Sequence, residues 1–129
     1  MSTGIYIVTL NNEEAISCNA HDKRIAHKAI KVNKKNIKVG RAKDLESRKK
    51  YYYLPFGRQN VNFQIIRTFP TFEETCFFEK QIMNRLENYR IVSPAGRKNE
   101  WLGGPNCEAK RYINSHEVKK IINETLSTN

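Results

Sequence analysis

Residues 4–10, Gly4-Ile5-Tyr6-Ile7-Val8-Thr9-Leu10, are a run of β-branched, aromatic and aliphatic side chains headed by a glycine. Such a run suits the pleated, half-buried surface of a strand. Asn11-Asn12 then signals a turn. The next comparable run, residues 36–41, reads as a second strand closing at Gly40 and paired antiparallel to the first. Residues 61–69 predict a third strand with partial alternation, stopped by Pro70. Between these strands the period changes. Asp44 and Glu46 suit the positive end of a helix dipole, and Leu45, Arg48, Lys49 and Tyr52 share one face at i, i+3, i+4 and i+7. Pro55 and Gly57 are expected to break that helix. Thr71 and Glu74 have capping-box spacing and open a long helix reaching about Tyr89.

The remaining segments are less regular. In residues 11–34, Asp22 is placed to cap a short helix with Ile25, Ala26, Ala29 and Ile30 as a narrow apolar stripe. Ser93-Pro94-Ala95-Gly96 is a loop, and Glu100-Trp101-Leu102 is a short extended piece with Trp101 expected in the core. A last helix runs over about 114–126 with Val118, Ile121 and Ile122 apolar. A chain of 129 residues matches one domain, 1–129, with one modest core.

Charge is concentrated. The net charge is +10, and residues 23–50 hold twelve bases against Asp44 and Glu46, whereas residues 1–22 hold three acids and no base. A field of that density attracts polyanions. The same residues lack a broad apolar face, which disfavours a membrane surface as the partner, and no apolar run is long enough to span one. The start of the chain has no basic n-region, so no signal peptide is expected. Cys18, Cys76 and Cys107 form no Cys-x-x-Cys pair and fit a reducing compartment. Cys18, His21 and His27 lack a fourth ligand and match no standard zinc spacing. The expected location is intracellular, in host cytoplasm or nucleus, or packaged in a virion, and not secreted.

On the long helix, Thr75, Phe78, Ile82, Leu86 and Tyr89 cluster on one face, and Glu79 lies roughly 50° from its centre. A carboxylate at the rim of a core stripe needs a cation or donors; a metal or a nearby base would each serve. Arg48 shares its face with Leu45 and Tyr52, and its planar fork suits bidentate phosphate contact or a stem packed on the sheet. Tyr51-Tyr52-Tyr53 with Arg48, Lys49, Lys50 and Arg58 suits backbone gripping and base stacking.

Taken in order, Gly4-Ile5-Tyr6, Val39-Gly40, Leu45-x-x-Arg48 and Glu79-Lys80-x-Ile82 resemble the GIY-YIG nuclease superfamily over roughly residues 3–103. Arg90, Gly96 and Glu100-Trp101-Leu102 further resemble a branch found in phages and large DNA viruses, whose second tripeptide often reads Lys-Ile-Gly and whose long helix precedes a Glu-Trp-Phe element. The resemblance implies an α+β fold, a small sandwich of a three-stranded antiparallel sheet flanked by helices. It implies a DNA endonuclease or nickase hydrolysing phosphodiesters with one divalent metal, Mg2+ or Mn2+. Tyr6 would be the general base or its relay, Arg48 would neutralise the scissile phosphate, and Glu79 would bind the metal, with Glu100 as rival ligand and Asn99 in support.

Three positions depart from the pattern. Lys38 replaces the tyrosine of the second tripeptide; across the ladder it is expected within ~5 Å of Tyr6, where a cation favours the phenolate. Tyr51 stands where relatives often place a histidine, as a proton carrier or phosphate contact. The stretch between Tyr6 and Lys38 is longer than usual, so residues 11–34 are read as a basic insertion contacting DNA or a partner. The expected catalytic set is Tyr6, Lys38, Arg48, Tyr51 and Glu79, and the expected DNA contacts, on double-stranded DNA, are Arg41, Lys43, Lys49, Lys50, Tyr52 and Arg58. With little room for a targeting domain, a homodimer or partner protein would supply specificity. The alternative is a weakened fold acting as a DNA-binding, virion or nucleoprotein module.

Overall fold

A computed structural model of the protein describes residues 2–127; the ends of the expected 1–129 domain lie outside the described residues. The fold is α+β, with a five-stranded antiparallel sheet, a two-stranded ribbon and three α-helices. Strand β1 (Gly4–Leu10) lies inside the sheet. It pairs with β4 (Ile37–Ala42) on one side and β5 (Val61–Thr68) on the other. These are the three strands expected from sequence. The three-stranded expectation falls short because two further strands, β6 (Arg90–Val92) and β7 (Lys98–Leu102), form a hairpin that joins the free edge of β4. The sheet order is β5-β1-β4-β7-β6.

Alternation along β1 sends residues to two cores. Ile5 and Ile7 join Ile37, Val39 and Leu102 beneath α2 (Phe72–Arg85) and α3 (Ser115–Ser127), while Tyr6, Val8 and Leu10 join Leu45, Tyr52, Phe56 and Trp101 on the side of α1 (Leu45–Phe56). Helix α1 is capped by Asp44, which accepts from the Glu46 amide. It runs through Pro55, one of its two expected breakers, and ends at Phe56 before the other, Gly57. Proline is tolerated there because the lost backbone bond falls in the last turn, and Gly57, at φ 83°, ends the helix with its amide on the Tyr53 carbonyl. Helix α2 begins as expected, with Thr71 accepting from the Glu74 amide. It stops at Arg85, and a 3-10 turn over Glu87–Tyr89 carries the chain into β6, so Tyr89 is not on the helix.

The insertion is a folded element. In place of the short helix expected after Asp22, it forms a ribbon of β2 (Ile16–Ser17) and β3 (Lys31–Val32) closed by a loop containing one 3-10 turn, Ala26–Lys28. The Cys18 amide donates to the Ile30 carbonyl, and Ile30 and Val32 are buried in the α1-side core. That burial pins the insertion against the sheet. No helix among the described residues is long and apolar enough to cross a membrane.

Candidate active site

The cross-strand partner of Tyr6 is Gly40. A Cβ at Gly40 would lie 2.5 Å from the Tyr6 hydroxyl oxygen, so the missing side chain is what lets the phenol cross over β4. The ring is fixed on its other sides by stacking on Phe63 at 4.5 Å and by the edge of Tyr52 at 5.9 Å. We expect Gly40→Ala to displace this ring and to cost about 1–3 kcal/mol of stability, the usual range for overpacking. A thermal melt checks it, and an unchanged Tm would show that the ring has room to move.

At its tip the Tyr6 hydroxyl shares a 2.5 Å hydrogen bond with the Tyr52 hydroxyl. Both tyrosines are buried. Burial pushes the Tyr6 phenol up to about 12; the Tyr52 hydrogen bond and the Arg48 charge pull it down, while Glu100 and Glu79 push it up. Tyr52 is raised further still, by burial and by Tyr6. Tyr52, expected among the surface DNA contacts, therefore belongs inside the site. Its place on the Leu45 face of α1 points it inward, unlike Tyr51 beside it in the tyrosine run.

Lys38 stands opposite Val8, one pleat from Tyr6, and its ammonium lies 6.0 Å from the centre of the Tyr52 ring. Lys38 is thus diagonal to Tyr6 on the ladder, and the cation whose charge pulls the Tyr6 phenol down is Arg48. Lys38 is itself pushed below the ordinary lysine range by burial, with Glu100, Cys18 and Glu79 opposing that shift.

Of the two carboxylates, Glu79 enters from the opposite face on α2 and Glu100 comes from β7. Pairing of β4 with β7 is confined to Ile37↔Leu102 and Lys38↔Trp101, so beyond Lys38 the edge of β4 carries no strand, and groups from both faces of the sheet meet there. Glu79 lies within the buried stripe of α2, with Thr75, Ile82 and Met83. Burial and the neighbouring Glu100 raise its carboxyl above the usual range, and Arg41 lowers it through a 3.1 Å ion pair. Arg41, expected as a DNA contact, is thus engaged with Glu79. Its position two residues after Val39, which faces α2, is the alternation signal that could have found this pair.

The other expected residues divide. Arg48 and Tyr51 are exposed and stack at 5.2 Å at the mouth of the site. Lys43 and Lys50 are exposed. Lys49 and Arg58 line a separate groove along β5, shared with Tyr53 and Lys119. The site thus gathers Tyr6, Lys38, Arg48 and Glu79 and adds Tyr52, Glu100 and Arg41, while Lys49 and Arg58 stand apart.

Glu79 and Glu100 are neighbouring hard oxygen donors, the Glu100 carboxylate disfavours charge on Glu79, and a divalent cation held by both would offset that repulsion. Among the described residues no group of three or more acidic, histidine or cysteine side chains converges. A cation held here would need water or substrate oxygens as further ligands, as magnesium commonly does.

Comparison with known families gives a match over most of the chain. The T5orf172 domain matches residues 5–126, which is nearly all of the chain and includes every residue of the site. Neither the curated proteins nor the solved structures give a match. The chain belongs to the T5orf172 domain family, a GIY-YIG-like or HNH-type domain associated with phage nucleases.

Proposed function

We propose that the protein is a metal-dependent DNA endonuclease or nickase using the site between β1, β4, α1, α2 and β7. The observation that carries this reading is the buried Tyr6–Tyr52 pair, hydrogen-bonded at 2.5 Å, whose Tyr6 phenol feels the charges of Arg48 from α1, Glu79 from α2 and Glu100 from β7. Family membership supports the nuclease class, and the basic surface supports a nucleic-acid substrate.

In this reading Arg48, at the mouth, holds the scissile phosphate, and Tyr51 braces its guanidinium by stacking. Tyr6, as its phenolate, takes a proton from the attacking water, and Tyr52 donates the 2.5 Å hydrogen bond that steadies that phenolate. Lys38 adds positive charge beside Tyr52 and Glu100. Glu79 and Glu100 would hold Mg2+ or Mn2+, which would supply polarisation of a phosphoryl oxygen and offset the carboxylate charges that add to burial in raising the Tyr6 phenol. Lys43, Lys49, Lys50 and Arg58 would follow the DNA backbone away from the cut.

A second reading has its own observation. Tyr6 is held protonated at neutral pH and Arg41 already occupies Glu79, an arrangement equally suited to a fold that grips DNA without cutting. Supercoiled plasmid incubated with magnesium or manganese separates the two. Relaxed or linear product supports the nuclease; salt-sensitive binding with no product in any divalent metal supports the binding module.

A further inference from the structure

Beside the active site, the insertion, α1 and the β6–β7 turn enclose a cleft of about 650 Å3. Each wall supplies an exposed base, Lys28 from the insertion, Arg48 from α1 and Arg97 from the turn, while Lys98 beside Arg97 is paired with Glu87. None of the three is ion-paired to a described carboxylate. The lining is apolar in an unusual way. Ile25, Tyr51 and Leu54, three of the large hydrophobic side chains the protein leaves exposed, all face this cleft, Tyr51 and Leu54 at 62% and 63% exposure. Lys38, Tyr52 and Glu100 of the active site line its inner end, so the cleft and the site are continuous.

These features select the occupant. A volume of this size lies within the range of small-ligand pockets, about 300–1,000 Å3; it admits one or two nucleotides and excludes a duplex. A duplex also presents phosphates and keeps its bases stacked on one another, leaving Ile25, Tyr51 and Leu54 nothing apolar to meet. An unpaired strand offers both partners at once, phosphates for the three bases and base faces for the three hydrophobic side chains. An acidic peptide would satisfy the bases, but a nuclease-associated domain with a net charge of +10 favours the nucleic acid.

We propose that this cleft receives an unpaired nucleic-acid strand leaving a duplex beside the scissile phosphate, which makes splayed or tailed DNA the preferred substrate class. The proposal rests on the nuclease reading for its substrate but not for its binding. The insertion is then a strand-separating wall whose Ile25 and Lys28 face the displaced bases and phosphates.

Binding measured by fluorescence anisotropy in the presence of EDTA tests this without cleavage. The probes are a blunt duplex and the same duplex carrying an unpaired oligothymidine tail. The tailed probe is expected to bind about tenfold tighter, within the range of one stacked base. Leu54→Ser combined with Ile25→Ser should abolish that preference while leaving blunt-duplex affinity unchanged; Leu54→Ser alone, at a site mostly in solvent, should reduce it. Equal affinity of the wild type for both probes overturns the proposal, as does a preference that survives in the double variant. Tail preference without cleavage in any divalent metal upholds the cleft and removes the nuclease reading; cleavage of blunt DNA with no tail preference does the reverse.

Discussion

Glu79→Gln is expected to lower metal-dependent cleavage by about a thousandfold or more while leaving DNA binding and the fold intact. The magnitude follows from removing charge stabilisation worth several kcal/mol at the reacting phosphate, with each ~1.4 kcal/mol worth a factor of ten. Glutamine keeps an oxygen acceptor for Arg41, so the 3.1 Å contact survives as a neutral hydrogen bond. Stability should move in the opposite direction to activity. The folded protein holds the Glu79 carboxyl above its ordinary value, chiefly because it is buried. Its contribution to stability is therefore fully present below the unfolded carboxyl value and is lost as pH rises through the folded one. At neutral pH without metal, the glutamine variant should melt at the same temperature as the wild type or above it. Magnesium or manganese should then raise the wild-type Tm, because a ligand of the native state stabilises by mass action, and should leave the variant where it was. Cleavage by the variant at the wild-type rate would remove Glu79 from the metal site. A metal-dependent rise in its Tm would move that site to other residues.

The same carboxylate shows where sequence reasoning reaches and where it stops. That Glu79 lies against a buried helix face was legible, because helical periodicity is local and α2 has a clean apolar stripe. What faces it was not, because Arg41 and Glu100 arrive from strands separated from it in sequence. The three strands β1, β4 and β5 were legible from composition and from the Gly and Pro that bound them. The hairpin of β6 and β7 was not. Arg90-Ile91-Val92 is too short to show a period, and Lys98-Asn99-Glu100 is polar. Both become strands by pairing with one another and with the open edge of β4, which is information the local sequence does not hold. The insertion misled for a related reason. Ile25, Ala26, Ala29 and Ile30 have helical spacing, but Ile30 and Val32 are worth more buried under α1 as part of a ribbon than on a helix with no partner.

Gly40 ties the two levels together. A glycine closing a strand reads as a turn residue, yet its φ is ordinary here and its value lies in the space it leaves for a tyrosine on the neighbouring strand. The Gly4-Ile5-Tyr6 and Val39-Gly40 elements are thus two halves of one contact. This gives a mechanical reason for tyrosine and glycine to occupy these two positions of one chain.

Tyr6→Phe is expected to lower cleavage by about a hundredfold to ten-thousandfold, the span assigned to a positioned proton-transfer group. It should also cost about 1–3 kcal/mol of stability, because it leaves the buried Tyr52 hydroxyl without the partner it now has at 2.5 Å. A loss of fold alone would not account for the pH profile. With the phenol pushed up to about 12, the fraction ionised at pH 7 in the metal-free site is on the order of one in 10^5. If its ionised form assists the reaction, cleavage should rise with pH through the neutral and alkaline range, and the Phe variant should lose that slope. Tyr52→Phe makes the opposite demand. It retains the Tyr6 hydroxyl but removes the hydrogen bond that pulls the Tyr6 phenol down, so the profile should keep its slope and shift to higher pH. Alkaline unfolding supplies a check that needs no activity. The wild type should lose the Tyr6 contribution as pH climbs from about 10, the free phenol value, through about 12, whereas Tyr6→Phe should not. A Phe variant with the wild-type pH profile would exclude Tyr6 from proton transfer and leave it as the ring that fills the space over Gly40.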